Sequence, residues 1–348
     1  MSSKLETYLD KFSEQEWLAA VNELLPSAHE VDRNAVQIWF RFFPLGLFRY
    51  LQSAEDRETA VREFAMLGNF DLSEQIDTSH HFLYGHRYWK VVKAAVEAEA
   101  AVFETAPSSL AEEVRQIAQM VAEKIKADAS LVIGITAVGL MTLDQVGLEA
   151  FKSASGETEK PRGLMARKPD QIVRERAKDD SQGLLGFLKT VNRSFSVNYT
   201  GEHAEGKFKI LDNEEIASAA ARDRSENWRA QDDRCIEGVI PVECRSAACG
   251  TCWVGVLSGE EKLSEVKPRE RRQMKVFGYN QPESEKPFIR LACQARANGN
   301  ASIVIPPWNG VFGKAVYGNV ETSVLEPATT SAKANREVVR EVVKNDLL

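Results

Sequence analysis

Long apolar runs are missing from this chain of 348 residues. The longest, Leu131 to Met141, is about half of the ~20 residues a membrane-spanning helix needs, so no transmembrane segment is expected. Met1 to Glu14 is polar and charged and lacks the apolar centre of a secretory signal. The expected location is therefore the cytoplasm. Cysteine is scarce, five residues in all, which excludes a small disulfide-stapled scaffold. Basic residues are not in excess: 44 Lys and Arg face 51 Asp and Glu, for a net charge of −7. With no basic stripe to neutralise phosphates, no nucleic-acid partner is expected. There is no G-x-G-x-x-G and no P-loop, hence no flavin, nicotinamide or nucleotide module of the chain's own. No G-x-S-x-G nucleophile motif occurs. No histidine has Glu three positions before it, which removes the Glu-x-x-His pairs of di-iron bundles.

What is present is an ordinary globular composition, 43% apolar and 27% charged, long enough for two domains and a tail. The charge is uneven. Residues 1–150 hold 13 basic against 23 acidic residues, whereas residues 151–193 hold 10 against 6. Residues 1–151 read as an all-α domain. Trp17, Leu18, Val21 and Leu24 share one helical face, and Asn34 to Gln52 is apolar nearly all round, broken at Pro44. A helix apolar on every side belongs in a core rather than on a membrane surface. Further helices are expected over Asp56–Leu67, Tyr88–Phe103 and Leu131–Phe151, and over 110–127 behind a Ser109/Glu112 capping box. Residues 152–193, rich in charge and with Pro161 and Pro169, read as a basic linker that includes one short amphipathic piece at Gly183–Val191. From Phe195 the period changes from 3.6 to 2. Phe195–Thr200 and Lys207–Leu211 form a strand pair, Glu214–Arg222 a helix, and Trp253–Leu257 and Ala301–Ile305 strands. Residues 316–348 read as a polar tail that ends in a helix over Ala334–Leu348.

The cysteines carry the chemistry. Cys244-Arg-Ser-Ala-Ala-Cys249-Gly-Thr-Cys252, followed by Cys293 in Leu-Ala-Cys-Gln, gives C-x4-C-x2-C…C. A mononuclear zinc site usually pairs two C-x2-C knuckles, and only one is present here. The asymmetric set suits a [2Fe–2S] cluster, with three thiolates from one tight loop and a fourth from a distance. Ser246, Ala247, Ala248, Gly250 and Thr251 are all small enough to bring backbone N–H groups close to the sulfurs.

On these motifs, residues 195–310 resemble the plant-type and adrenodoxin-like [2Fe–2S] ferredoxins. The resemblance implies a β-grasp fold after the helical domain, an α+β protein overall, with the ferredoxin domain at about 194–315. It implies Cys244, Cys249, Cys252 and Cys293 as cluster ligands, a cluster shuttling between net −2 and −3, and one-electron traffic with a protein partner, a reductase or an acceptor enzyme. Three departures stand out. Ala247 occupies a position that is usually Gly in plant ferredoxins. Forty residues separate Cys252 from Cys293. The segment Leu263–Met274 resembles the extra helix of the adrenodoxin branch or of Shethna-type ferredoxins, yet residues 258–275 hold six basic against four acidic residues, so the usual acidic partner surface does not carry over.

Outside the cluster loop, His80, His81 and His86 lie within seven residues. They form either a packed aromatic–histidine knot or, with Tyr88, a second metal or substrate site. Cys235 reads as a packed thiol, or as a redox-active thiol or an alternative ligand. Three functions stay open: an electron carrier whose helical domain docks a partner or self-associates, a Shethna-like redox-switched protective protein, and the iron–sulfur subunit of an oxidoreductase. A strict two-module chain would keep its cluster after deletion of residues 1–150.

Overall fold

The computed structural model describes residues 3–105, 107–178, 193–279 and 286–318. The pieces expected at 183–191 and 334–348 lie outside them. The protein is α+β. It divides into two compact units, one formed by residues up to Arg57 with Asn69–Glu175, the other by Glu58–Gly68 with the residues from Arg176 onward.

The first unit is helical. Helices α1 (Lys4–Leu9) and α2 (Glu14–Leu24) each open on a capping box, Ser3 with Glu6 and Ser13 with Glu16, in which hydroxyl and carboxylate satisfy N–H groups that have no intrahelical partner. Pro44 separates α3 (Glu30–Phe42) from α4 (Leu45–Ser53), as its ring and missing N–H dictate. Val36, Ile38, Trp39, Phe40, Phe42 and Leu45 are buried, so the apolar stretch is core. Helix α5 (Arg57–Glu63), which falls almost wholly in the second unit, is shorter than expected, because Ala65 takes a left-handed backbone (φ 48°) and ends the helical run. Then come α6 (Trp89–Val102), α7 (Leu110–Ile125), α8 (Ile133–Val146), α9 (Leu148–Ser153) and α10 (Pro169–Ala177). Ser109 does cap α7 through the Glu112 N–H at 3.2 Å, but the Glu112 carboxylate turns to Gln116 instead of closing the box. The expected helix 131–151 is two helices, since Gly147 (φ 77°) breaks it. Helix α8 is buried on nearly every side, and Thr136 and Thr142 return their hydroxyls to the carbonyls of Val132 (2.9 Å) and Val138 (2.8 Å).

Part of the segment expected as a linker is packed. Ile172 of α10 is fully buried with Val31 and Tyr84, and Leu164, Met165 and Val173 lie against them. Four apolar side chains scattered among charges do not advertise a core face, yet together they cover one.

In the second unit the strands are β1 (Leu67–Gly68), β2 (Ser194–Thr200), β3 (Glu205–Leu211), β4 (Glu214–Glu215), β5 (Trp253–Ser258), β6 (Ile289–Leu291), β7 (Arg296–Ala297), β8 (Ala301–Val304) and β9 (Trp308–Asn309). Five of them form a mixed sheet in the order β3-β2-β8-β5-β6, in which β2 and β8 are parallel and the other pairs antiparallel. Alternation puts Phe195, Val197 and Tyr199 of β2 and Phe208 and Ile210 of β3 into the core. Helix α11 (Ile216–Arg222) buries Ile216, Ala217, Ala219 and Ala220. The short α12 (Trp228–Gln231), then α13 (Pro268–Phe277) and α14 (Gly313–Tyr317), complete the unit. The small pairs β4–β7 and β1–β9 lie apart from the main sheet. Residues 58–68 therefore belong to this second unit, and deleting residues 1–150 would remove a strand from it.

A buried carboxylate holds the first unit together locally. Asp32 of α3 is 2% exposed and accepts from the N–H groups of Tyr84 (2.6 Å) and Gly85 (2.8 Å). Asp32→Ala is expected to strip both and to cost about 2 kcal/mol or more, read as a lower urea midpoint in helical circular dichroism.

Candidate metal centre

The four motif cysteines converge in the second unit, and none of the five cysteines in the chain is in a disulfide. Cys244, Cys249 and Cys252 sit on the loop between α12 and β5, and Cys293 follows β6. Register explains the meeting: β5 and β6 pair Trp253 with Leu291, and the Ala292 N–H donates to the Cys252 carbonyl at 2.9 Å. A chain reversal of forty residues thus ends beside its starting point.

The loop is wound so that its N–H groups face inward. Ser246, Ala248 and Cys249 donate to Cys244 Sγ at 3.4, 3.2 and 3.3 Å. Cys249 Sγ lies 3.2 Å from Thr251 Oγ1, and Gln294 Nε2 donates to Cys293 Sγ at 3.4 Å. This winding needs left-handed backbone at Arg245 (φ 53°), Ala247 (φ 60°) and Gly250 (φ 68°). For the two non-glycine residues it costs roughly 1–2 kcal/mol each. Ala247 thus takes a left-handed conformation that glycine adopts without strain. Gly250 has no alternative, because a Cβ would stand 2.3 Å from Phe277 Cε1.

The sulfurs fall into two pairs, Cys244 with Cys249 and Cys252 with Cys293. Hydrogen bonding from Cys249, with the Ser246 and Ala248 N–H groups, holds the Cys244 thiol down to about 4 against its burial. Its partner Cys249 is pushed up by the same bond and by burial. In the second pair the bond from Cys252 holds Cys293 down, while that bond and burial push Cys252 up. Among the described residues no three His, Cys, Asp or Glu side chains gather around a single metal position. Soft thiol donors on a loop whose N–H groups face Cys244 Sγ fit an iron–sulfur group.

The support around the loop was not read from the sequence. Arg245 pairs with Glu237 and donates to Ser218 Oγ at 2.9 Å, tying the loop to α11. Behind Cys293, Arg290 and Glu270 form a two-pronged buried pair at 2.9 and 3.0 Å, and Glu270 also accepts the Leu291 N–H at 2.9 Å. This fastens the fourth-cysteine strand to α13. Trp253 packs edge-on to Phe277 and Tyr279, with ring centroids 5.7 and 4.9 Å away. Only a residue's partners in space reveal such roles; a lone Arg or Glu in sequence does not.

Residues 220–298 match the family described as a 2Fe-2S iron-sulfur cluster binding domain. The cofactor is a [2Fe–2S] cluster. All four motif cysteines lie within the matched residues. No curated protein and no solved structure matches the chain. Among the described residues no helix is long and apolar enough to cross a membrane.

Cys235 is bonded differently from the cysteines of the loop. Its Sγ donates to the Val239 carbonyl at 3.1 Å, and burial pushes the thiol up to about 12, which suits a packed thiol. The three histidines of the first unit are not brought together as a set. His80 and His86 face each other, Nδ1 to Nδ1, at 2.8 Å, whereas His81 Nδ1 lies 3.0 Å from the Thr78 carbonyl. His80 Nε2 lies 3.2 Å from the Ile76 carbonyl, so it donates there and its Nδ1 accepts from His86. The Tyr84 ring of the same segment is covered by the Arg87 guanidinium at 3.5 Å.

Two predictions follow from these geometries. Gly250→Ala must displace buried Phe277 and strain the backbone, so purified protein should carry less iron and weaker visible absorbance than wild type. The histidine pair gives a pH dependence. Burial holds His80 well below 6.5 and lowers His86 to about 4, where His81 and Arg87 oppose its charge and Asp77 favours it. The pair is neutral when folded and protonates on unfolding, so its stabilisation is full above pH 6.5 and is lost as pH falls towards 4. Burial raises Glu113 and Asp144 to about 7, which works in the opposite direction over the same range. In a Glu113→Gln, Asp144→Asn background the urea midpoint should therefore decline on acidification from pH 6.5 towards 4. A flat profile would contradict a neutral pair.

Proposed function

We propose that the protein is a one-electron carrier. Its cluster is held by Cys244, Cys249, Cys252 and Cys293 in a β-grasp domain of the plant-type or adrenodoxin-like kind. The observation that carries this reading is a loop whose Ser246, Ala248 and Cys249 N–H groups donate to Cys244 Sγ, with Cys252 held beside the Cys293 segment by the Ala292 N–H. When bound, the group supplies single-electron transfer. The chain's own residues do the rest. Inward N–H groups stabilise added negative charge, which raises the potential from the ~−400 mV typical of plant-type clusters. Phe277, Trp253 and Tyr279 exclude water from one side. Cys249 is the partly exposed ligand, while Cys244, Cys252 and Cys293 are at most 2% exposed, so a partner protein approaches from the Cys249 side. The acidic helical unit serves partner docking or self-association, in the cytoplasm.

The oxidoreductase-subunit reading needs a second site in the helical unit. His80 and His86 turn their Nδ1 atoms towards each other, which favours a packed histidine pair over a second metal or substrate site there. A redox-switched protective role differs from a carrier in turnover: the carrier passes many electrons per chain, the switch forms a complex and stops.

Replacing any of the four cysteines by Ser should abolish the axial or rhombic low-temperature EPR signal of dithionite-reduced protein, whereas Cys235→Ser should keep it. Wild-type protein that contains one zinc and no iron would end the proposal.

A further inference from the structure

We propose that Asn309 is a positioning residue for the ligand loop, and that the strand Leu67–Gly68, remote in sequence, sets the behaviour of the centre through it. The inference rests on the four cysteines being the ligands.

Asn309 is 4% exposed and uses both ends of its amide: Nδ2 donates to the Thr251 carbonyl at 2.9 Å, and Oδ1 accepts from Arg234 Nη1 at 2.9 Å. The amide has one orientation, because a guanidinium only donates and a carbonyl only accepts. Arg234 is itself fixed. Asp232 takes its Nε at 3.0 Å and its Nη2 at 2.6 Å, and the Pro306 carbonyl takes Nη2 at 3.2 Å. The backbone at Asn309 is held by β1, with Leu67 opposite Asn309 and Gly68 opposite Trp308, and Val311 N–H donates to Phe64 O at 2.7 Å. Gly68 (φ 86°) is irreplaceable there: a Cβ would lie 2.3 Å from the Pro307 carbonyl oxygen and 3.0 Å from Arg234 Cζ.

Thr251 is where this support meets the ligands. Its Oγ1 accepts the Glu243 N–H at 3.1 Å, which leaves its hydrogen free to donate to Cys249 Sγ at 3.2 Å. Asn309 thus fixes the peptide that holds both ends of the loop. A donor to a ligand sulfur favours the reduced, more negative state, so loosening Thr251 moves the potential to more negative values.

The test compares full-length wild type, Asn309→Asp, Gly68→Val and the double variant. Asn309→Asp keeps the acceptor for Arg234 and removes the donor to Thr251. Each single variant should retain wild-type helical circular dichroism, show a more negative midpoint potential and altered EPR g-values, and lose iron to a chelator ~10-fold faster. The double variant should be no worse than the worse single one, since both act through one route. If Gly68→Val does not fold, Asn309→Asp alone decides through its potential and g-values. Unchanged potential and g-values, or additive effects in the double variant, overturn the inference. A wild type without two irons and two sulfides is a different outcome, which overturns the ligand assignment itself.

Discussion

The inward winding of residues 244–252 is the constraint on which the second unit depends. A sulfur carrying negative charge inside a protein needs donors, and the nearest ones are the N–H groups of its own loop. Ser246, Ala248 and Cys249 supply them to Cys244 only because the backbone turns left-handed at Arg245, Ala247 and Gly250. That conformation is unfavourable for Arg and Ala by themselves. The surroundings must over-determine it, and they do. Arg245 is held by Glu237 and Ser218, Phe277 closes on Gly250, and Asn309 holds the Thr251 carbonyl.

The same logic organises the approach of the fourth cysteine. Cys293 lies forty residues beyond Cys252, and chain entropy opposes bringing them together. The β5–β6 pairing closes that distance, and the Arg290–Glu270 pair locks it from behind. Both charges are almost wholly buried. Each satisfies further backbone groups, Ser264 O for Arg290 and Leu291 N for Glu270, which is the condition under which a buried ion pair is tolerable. The basic character of α13 seen in sequence is therefore divided. Glu270 on its buried face serves the fold, and Lys267, Arg272 and Lys275 are exposed.

Legibility in the sequence followed the range of the interactions. Period and punctuation were enough for α2, α3, α4, α6 and α7, because Pro44 and the 3.6 spacing of buried apolar residues act locally. The β2–β3 hairpin was equally readable from alternation. Errors arose where tertiary contact outweighed local pattern. Ala65 ends α5 and sends the chain into β1, which pairs with β9, far along the chain. Ile172 turns an apparent tether into a packed helix. At Ser109 only half the capping box forms, since Gln116 competes for the Glu112 carboxylate.

Sequence alone pointed to the cofactor: the C-x4-C-x2-C…C spacing on a loop of small residues led to a [2Fe–2S] cluster, which the match of residues 220–298 bears out. It also determined that the chain changes from helix to sheet, because side-chain period is a local property. Only the tertiary structure decided which residues guard that loop, that His80 and His86 meet each other and not a third ligand, and that an eleven-residue stretch of the N-terminal half, Glu58–Gly68, belongs to the iron–sulfur unit. Those outcomes come from pairings between residues tens to hundreds of positions apart, which burial and hydrogen-bond satisfaction select and no local pattern encodes.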